Sequence, residues 1–277
     1  MTICLQELFR NWYAKLVPFF DFREYTLMFA SFHNEPSGYM GVAMAWPRQL
    51  HAVDVCLKQI SRVVDWTVVC KACGCELTEP TPSNSCHPCY DRYAPPSYAF
   101  EQSRSRQNVA IFVRFEKNFC VGTYHMPCEY QNDEAMQLMN IHLALFAKFG
   151  QEWSAGCPLV LAGDFNFYPN DSPYQAITTG ALPDGHPQKP MGRLGAIPFQ
   201  PMRSAYVACT GKEPDATSFG RVPETMDYIF LSGEWAVDFV RPTRPVPSPY
   251  MPWSIPDATE PSDHFCVGAM LRLSTNH

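Results

Sequence analysis

The sequence predicts an α/β fold: a layered α/β sandwich of two mostly antiparallel sheets flanked by helices, with a small Cys-rich zinc-binding insertion. Three observations predict it. Short apolar runs of strand length recur along the chain and alternate with helical patterns. Two of these runs, Val109–Phe115 and Phe119–His125, are separated only by the tight turn Glu116-Lys117-Asn118, which demands antiparallel pairing. Residues 65–105 break the pattern with cysteines, prolines, serines and tyrosines, as an insertion would.

Each element follows in order. Residues 8–20 have helical apolar spacing and predict a short amphipathic helix ended near Pro18. Gly38–Trp46 reads as a buried strand and 51–64 as a further strand. After the insertion and the hairpin, residues 132–150 carry apolar positions Met136, Met139, Ile141, Leu143, Leu145 and Phe146 and read as a helix. Pro158–Gly163 is an apolar run suited to a strand buried on both faces. A helix is expected near 172–180 and a Pro- and Gly-rich loop over 183–202. Met226–Ser232 is another buried strand, 242–262 a Pro-rich loop, and Phe265–Leu273 a last strand. The whole chain, 1–277, reads as one domain with the 65–105 insertion inside it.

Bulk composition narrows the function. With 277 residues, 46% hydrophobic and 17% charged, the chain can bury a large core and is not disordered. A net charge of −6 excludes binding nucleic acid through overall positive charge and leaves room only for a local basic groove. The start, Met1–Arg10, lacks the basic and apolar regions of a secretory signal, and no run of eighteen apolar residues exists. The expectation is an intracellular, cytoplasmic protein with no membrane span and with its 12 cysteines reduced.

Polar clusters interrupt the apolar strands at particular places: Gln6-Glu7, Tyr124-His125, Gly163-Asp164-Phe165-Asn166 and Ser262-Asp263-His264, with Asp227 inside a strand. A carboxylate in such a position must be paired or coordinated, because burying it bare is costly. Strand ends project into a common crevice, and oxygen-rich ligands there suit Mg²⁺ or Mn²⁺. Phosphodiester cleavage needs that set: a cation to neutralise charge developing on phosphorus oxygens and a base to activate water. Asp164 and Asn166 lie two apart, so both side chains can face one side. A carboxylate beside His264 would raise its pKa and orient it.

Cys4-Leu5-Gln6-Glu7, Gly163–Asn166 followed by Pro169 and Tyr174, Met226–Ser232 and Ser262–His264 resemble, in order, the motifs of the endonuclease/exonuclease/phosphatase superfamily. Arg203–Tyr206 followed by Gly211–Pro214 is similar to a segment of carbon-catabolite-repressor-type deadenylases, nocturnin-like enzymes and 2′,5′-phosphodiesterases. The resemblance implies Glu7 as a primary Mg²⁺ ligand, with Asp164, Asn166 and Asp263 as further ligands. It implies Asp164 as the residue that positions or deprotonates water, Asn166 on the phosphate, His125 on the scissile phosphate and His264 as the catalytic histidine. Asp227 would support the site, and Phe219 and Arg203 would bind substrate. Plainer readings stand beside these: Asp227 as a satisfied core carboxylate, His125 as a structural histidine and Phe219 as core. His33, His51, His142 and His186 have no partner signal and read as structural or surface residues. The resemblance also implies a strand ahead of Glu7 that ends in an Asn. Six residues precede Glu7 and none matches it, so the first strand reads as missing.

Within the insertion, Cys70-Lys-Ala-Cys73 and Cys86-His-Pro-Cys89 are two knuckles twelve residues apart, a spacing that suits a closed tetrahedral Cys₄ Zn²⁺ site. Cys75 or His87 could replace one ligand, and free thiols or disulfides are the alternatives. Such a site would staple an insertion too small to fold alone. The expected activity is a Mg²⁺-dependent 3′-exoribonuclease acting on RNA or oligoadenylate. A nucleotide or small-molecule phosphatase is the nearest alternative. A catalytically impaired member that binds RNA or protein is the third.

Overall fold

In the computed structural model, the described residues are 1–32, 40–66, 68–69, 76–77, 98–190, 192–219, 223–243, 256 and 261–273. The zinc-ligand candidates Cys70, Cys73, Cys86 and Cys89 lie outside them.

The chain opens with β1 (Ile3–Leu8), α1 (Arg10–Asp21), β2 (Tyr25–Ser31), β3 (Gly41–Pro47) and β4 (Ala52–Gln59). Two-residue strands β5 (Val68–Val69) and β6 (Glu76–Leu77) pair with each other. Then come α2 (Tyr98–Ser105), β7 (Val109–Phe115), β8 (Phe119–Thr123), α3 (Asp133–Ser154), β9 (Leu159–Asp164) and α4 (Ser172–Thr179). The chain continues with β10 (Arg203–Ser204), α5 (Ala205–Thr210), β11 (Ser218–Phe219), β12 (Pro223–Glu224), β13 (Asp227–Ser232), β14 (Trp235–Val240) and β15 (Ala269–Leu273).

A six-stranded sheet, ordered β10-β13-β9-β8-β7-β4, forms the centre. All its pairings are antiparallel except β8 with β9, which are joined by α3 and therefore run parallel. Period-two alternation divides its side chains between two cores. Phe112, Cys120, Leu161 and Phe230 face α3. Ile111, Val113, Val121, Val160, Ile229 and Leu231 face the other way, towards Val42, Met44 and Trp46 of the three-stranded sheet β1-β3-β2. The result is helix on sheet on sheet. Helix α3 begins at Asn132, whose side chain accepts from the Ala135 amide at 3.0 Å, with Asp133 and Glu134 in its first turn. No helix among the described residues is long and apolar enough to cross a membrane.

Four element boundaries differ from expectation. Helix α1 runs through Pro18 to Asp21, because one lost amide bond is tolerated when Tyr13 stacks on Phe29 and Phe20 packs against Tyr25. The end of the expected insertion, Tyr98–Ser105, is part of the body: Ala99 and Ser103 are buried where α2 packs beside α3. The expected strand 51–64 stops at Gln59 and turns through a 3-10 segment. The last strand begins only at Ala269 and pairs with β14, which its weak alternation concealed.

Candidate active site

Topology brings the polar clusters to one rim. Parallel β8 and β9 end together, and antiparallel β13 begins where β9 ends, so Asp227 lies directly opposite Asp164. Gly163 makes the approach possible. Its φ is 155°, and a Cβ there would meet the Tyr124 carbonyl oxygen at 2.1 Å. Glu7 arrives from the other sheet. The register of β1 on β3 shifts between Leu5 and Leu8, and Glu7 itself adopts a left-handed φ of 53°. The bulge re-aims the strand end, and the Gln6 amide donates to Thr123 Oγ1 at 3.0 Å to hold it against β8.

Asp164, Asn166, His125 and Asp227 are buried. Asn166 also has φ 53°, so two non-glycine residues in the left-handed region flank this rim. The Asn166 amide donates to Asp164 Oδ1 at 2.9 Å, and its side chain donates to the Met126 carbonyl at 2.9 Å. His125 Nε2 lies 3.6 Å from Asp164 Oδ2 and 4.0 Å from Glu7 Oε1. His264 Nδ1 lies 2.8 Å from Asp227 Oδ2. Thr217 was not anticipated from sequence: its Oγ1 accepts from the amides of Met226 and Asp227 at 3.0 Å each and pins the start of β13. Its one cue is a Thr in a β-prone Ala-Thr-Ser-Phe run.

The electrostatics separate the two histidines. Burial, reinforced by the nearby His264 charge, lowers His125 to about 4, so it is neutral at pH 7. Burial alone would lower His264 too, but the Asp227 hydrogen bond and the Asp227, Asp164 and Asp263 charges outweigh it and hold His264 at about 9. His264 is therefore an imidazolium at pH 7. Burial, then the facing Asp227 carboxylate, raises Asp164.

Asp164, Asp227 and His264 offer ligand atoms within 4.8 Å of one another. His264 Nδ1 is already engaged by Asp227 Oδ2 at 2.8 Å, and His264 counters the charge of Asp227. Glu7 and Asp164 also offer carboxylate oxygens around His125 Nε2, at 4.0 and 3.6 Å from it, and oxygen donors of this kind could hold a divalent ion.

Three anticipated residues are engaged in other contacts. Arg203 pairs with Leu231, four residues along β13 from Asp227 and so roughly 13 Å from the rim, and its guanidinium donates to the Trp235 carbonyl. Phe219 is 6% exposed and packs edge-on against Phe265 at 4.5 Å, which removes the open face that base stacking requires. Asp263 is exposed, and its carbonyl, not its carboxylate, makes the ordered contact, accepting from the Phe219 amide. His142, read as unpartnered, is fully buried between the Tyr124 hydroxyl and the Ser103 carbonyl.

The model of the endonuclease/exonuclease/phosphatase family matches residues 2–264. The chain belongs to that family. Its members are divalent-metal-dependent phosphoric-ester hydrolases. Over 120 residues, 42% of this chain, the sequence is 33% identical to carbon catabolite repressor protein 4 homolog 4 of Arabidopsis thaliana; the match spans 27% of that relative's length. The fold is similar to the human Nocturnin catalytic domain (TM-score 0.60, 16% identity, 99% of this chain and 80% of that one). It is also similar to a mannosyl-6-phosphatase from Bacteroides thetaiotaomicron (TM-score 0.58, 15% identity, 98% and 85%).

Proposed function

We propose that this chain is a Mg²⁺-dependent phosphodiesterase, a deadenylase-like 3′-exoribonuclease that hydrolyses RNA or oligoadenylate. The observation that carries this reading is the meeting of a buried carboxylate pair, Asp164 and Asp227, with one neutral and one protonated histidine on a single rim. The aligned stretch with the carbon catabolite repressor protein 4 homolog supports the nucleolytic subgroup.

Glu7, Asp164 and Asn166 would hold the cation, which when bound supplies positive charge to the phosphoryl oxygens and makes water easier to ionise. Asp164, fixed by the Asn166 amide, orients the attacking water and accepts its proton. Its raised pKa makes it a better base than an exposed carboxylate. His264 donates from Nε2 to the phosphoryl oxygen on which charge builds, while Asp227 holds Nδ1 and keeps the ring charged. Neutral His125 donates a further hydrogen bond without adding a second full positive charge.

A structural Zn²⁺ on Cys70, Cys73, Cys86 and Cys89 belongs to the proposal, on the strength of the knuckle spacing alone. The second reading, a small-molecule phosphatase, is favoured by the fold shared with the mannosyl-6-phosphatase. The experiment is incubation of 3′-labelled and 5′-labelled oligoadenylate with Mg²⁺, beside Asp164→Ala. Metal-dependent laddering lost in Asp164→Ala supports the exonuclease. Release of free phosphate from small esters, with oligoadenylate left intact, favours the phosphatase.

A further inference from the structure

Beside Asn166 stands an aromatic pair that the hydrolytic chemistry does not itself require. The rings of Tyr130 and Tyr168 stack with centroids 5.4 Å apart and planes inclined by 7°. The Tyr130 hydroxyl donates to the Asn166 carbonyl, and the Tyr168 hydroxyl stands near the Glu224 carboxylate. Glu224 pairs across β11–β12 with Ser218, which in turn bridges to His264. The stacked pair therefore spans the mouth of the site from the Asn166 side to the strand beside His264.

A packing role would bury such rings, yet Tyr130 is 37% exposed. Tyr168 covers one face of it, and the hydroxyl anchor fixes its plane. A pre-oriented aromatic surface beside the carboxylate and histidine rim is the arrangement that receives a flat heterocycle, since every nucleobase has a π-face to stack.

We infer that Tyr130 is a substrate-binding residue whose exposed ring extends the Tyr168 stack to take a nucleobase, so that the site prefers base-bearing phosphoesters over sugar phosphates. This rests on the phosphoesterase reading for the position of the phosphate. It is testable without turnover, which keeps the two separable.

The probes are adenosine 5′-monophosphate and ribose 5-phosphate, titrated calorimetrically with Mg²⁺ into wild type, Tyr130→Phe and Tyr130→Leu, with folding checked by circular dichroism. The nucleotide should bind wild type about tenfold tighter or more than the sugar phosphate, the size of a single base stack. Tyr130→Phe should keep that preference, and folded Tyr130→Leu should lose it. Equal affinity for both probes in wild type, or a preference undiminished in Tyr130→Leu, overturns the inference. Loss of phosphoester turnover on every substrate, with the nucleotide preference intact, would instead count against the hydrolase reading.

Discussion

Asp164 and Asp227 are directly opposed residues on the antiparallel β9–β13 pair, so two carboxylates are buried side by side at one end of the central sheet. Like charges placed so are destabilising unless something intervenes. His264, bonded to Asp227 at 2.8 Å, is that intervening charge. The arrangement sets a carboxyl group of raised pKa beside an imidazolium.

Asp227→Asn removes the charge that holds His264 up. Burial then dominates, and the His264 pKa should fall from about 9 to the ordinary imidazole range or below. Turnover at pH 7 should fall about a hundredfold or more. A histidine titration by NMR together with kcat checks both, and an unchanged His264 titration would remove Asp227 from its assigned role.

Glu7→Gln keeps the shape of the bulge and deletes one charge. The Mg²⁺ concentration for half-maximal turnover should rise about tenfold or more. Chelation of the metal should abolish activity in both proteins and readdition should restore it. A metal dependence equal to that of wild type would place the cation away from Glu7.

Gly163→Ala forces a Cβ to within 2.1 Å of the Tyr124 carbonyl oxygen, and Ala does not readily adopt φ 155°. The cost should be about 2 kcal/mol or more, read as a lower urea midpoint at an unchanged m-value. A midpoint matching wild type would mean that β8 and β9 can separate freely.

His142 makes stability depend on pH. The Ser103 carbonyl can only accept, so Nε2 carries the proton and Nδ1 accepts from the Tyr124 hydroxyl. Burial lowers the folded pKa to about 3, against roughly 6.5 in the unfolded chain. The unfolded state therefore binds the extra proton first as pH falls. The contribution is complete above about pH 6.5 and is lost towards pH 3, with about 2 kcal/mol gone between pH 7 and pH 5. Urea melts of wild type and His142→Leu at those two pH values measure it, and the loss should shrink in the variant. An equal loss in both would assign the acid sensitivity elsewhere.

Metal analysis of protein purified without added zinc should find one Zn²⁺ per chain. A Cys70→Ser/Cys73→Ser double variant should lose it while keeping Mg²⁺-dependent turnover if the knuckles are purely structural. Absence of zinc from the wild-type protein would leave the four cysteines as free thiols or disulfides.

The candidate site was legible in part. Asp164, Asn166, Asp227 and His264 announce themselves because charged or amide side chains interrupt or follow apolar strands, where a buried carboxylate must be paired or coordinated. Tyr130, Tyr168 and Thr217 gave no such signal, since tyrosines and threonines are ordinary residues in loops and strands. Arg203 and Phe219 show the converse. A local motif says which strand a residue belongs to, but not which end of it faces the site or whether a neighbour such as Phe265 covers the ring.

By itself the sequence determined the apolar alternation that makes β7, β8, β9 and β13 strands, the helical spacing of α3 and the polar residues at the strand ends. These are properties of one element and its own side chains. Tertiary structure alone decided that β9 and β13 run antiparallel in the register that opposes Asp164 to Asp227, that a bulge brings Glu7 from a second sheet, and that His264 reaches Asp227 from 37 residues away. Pairing register and long-range closure depend on which surfaces bury each other, and burial is a property of the assembled chain.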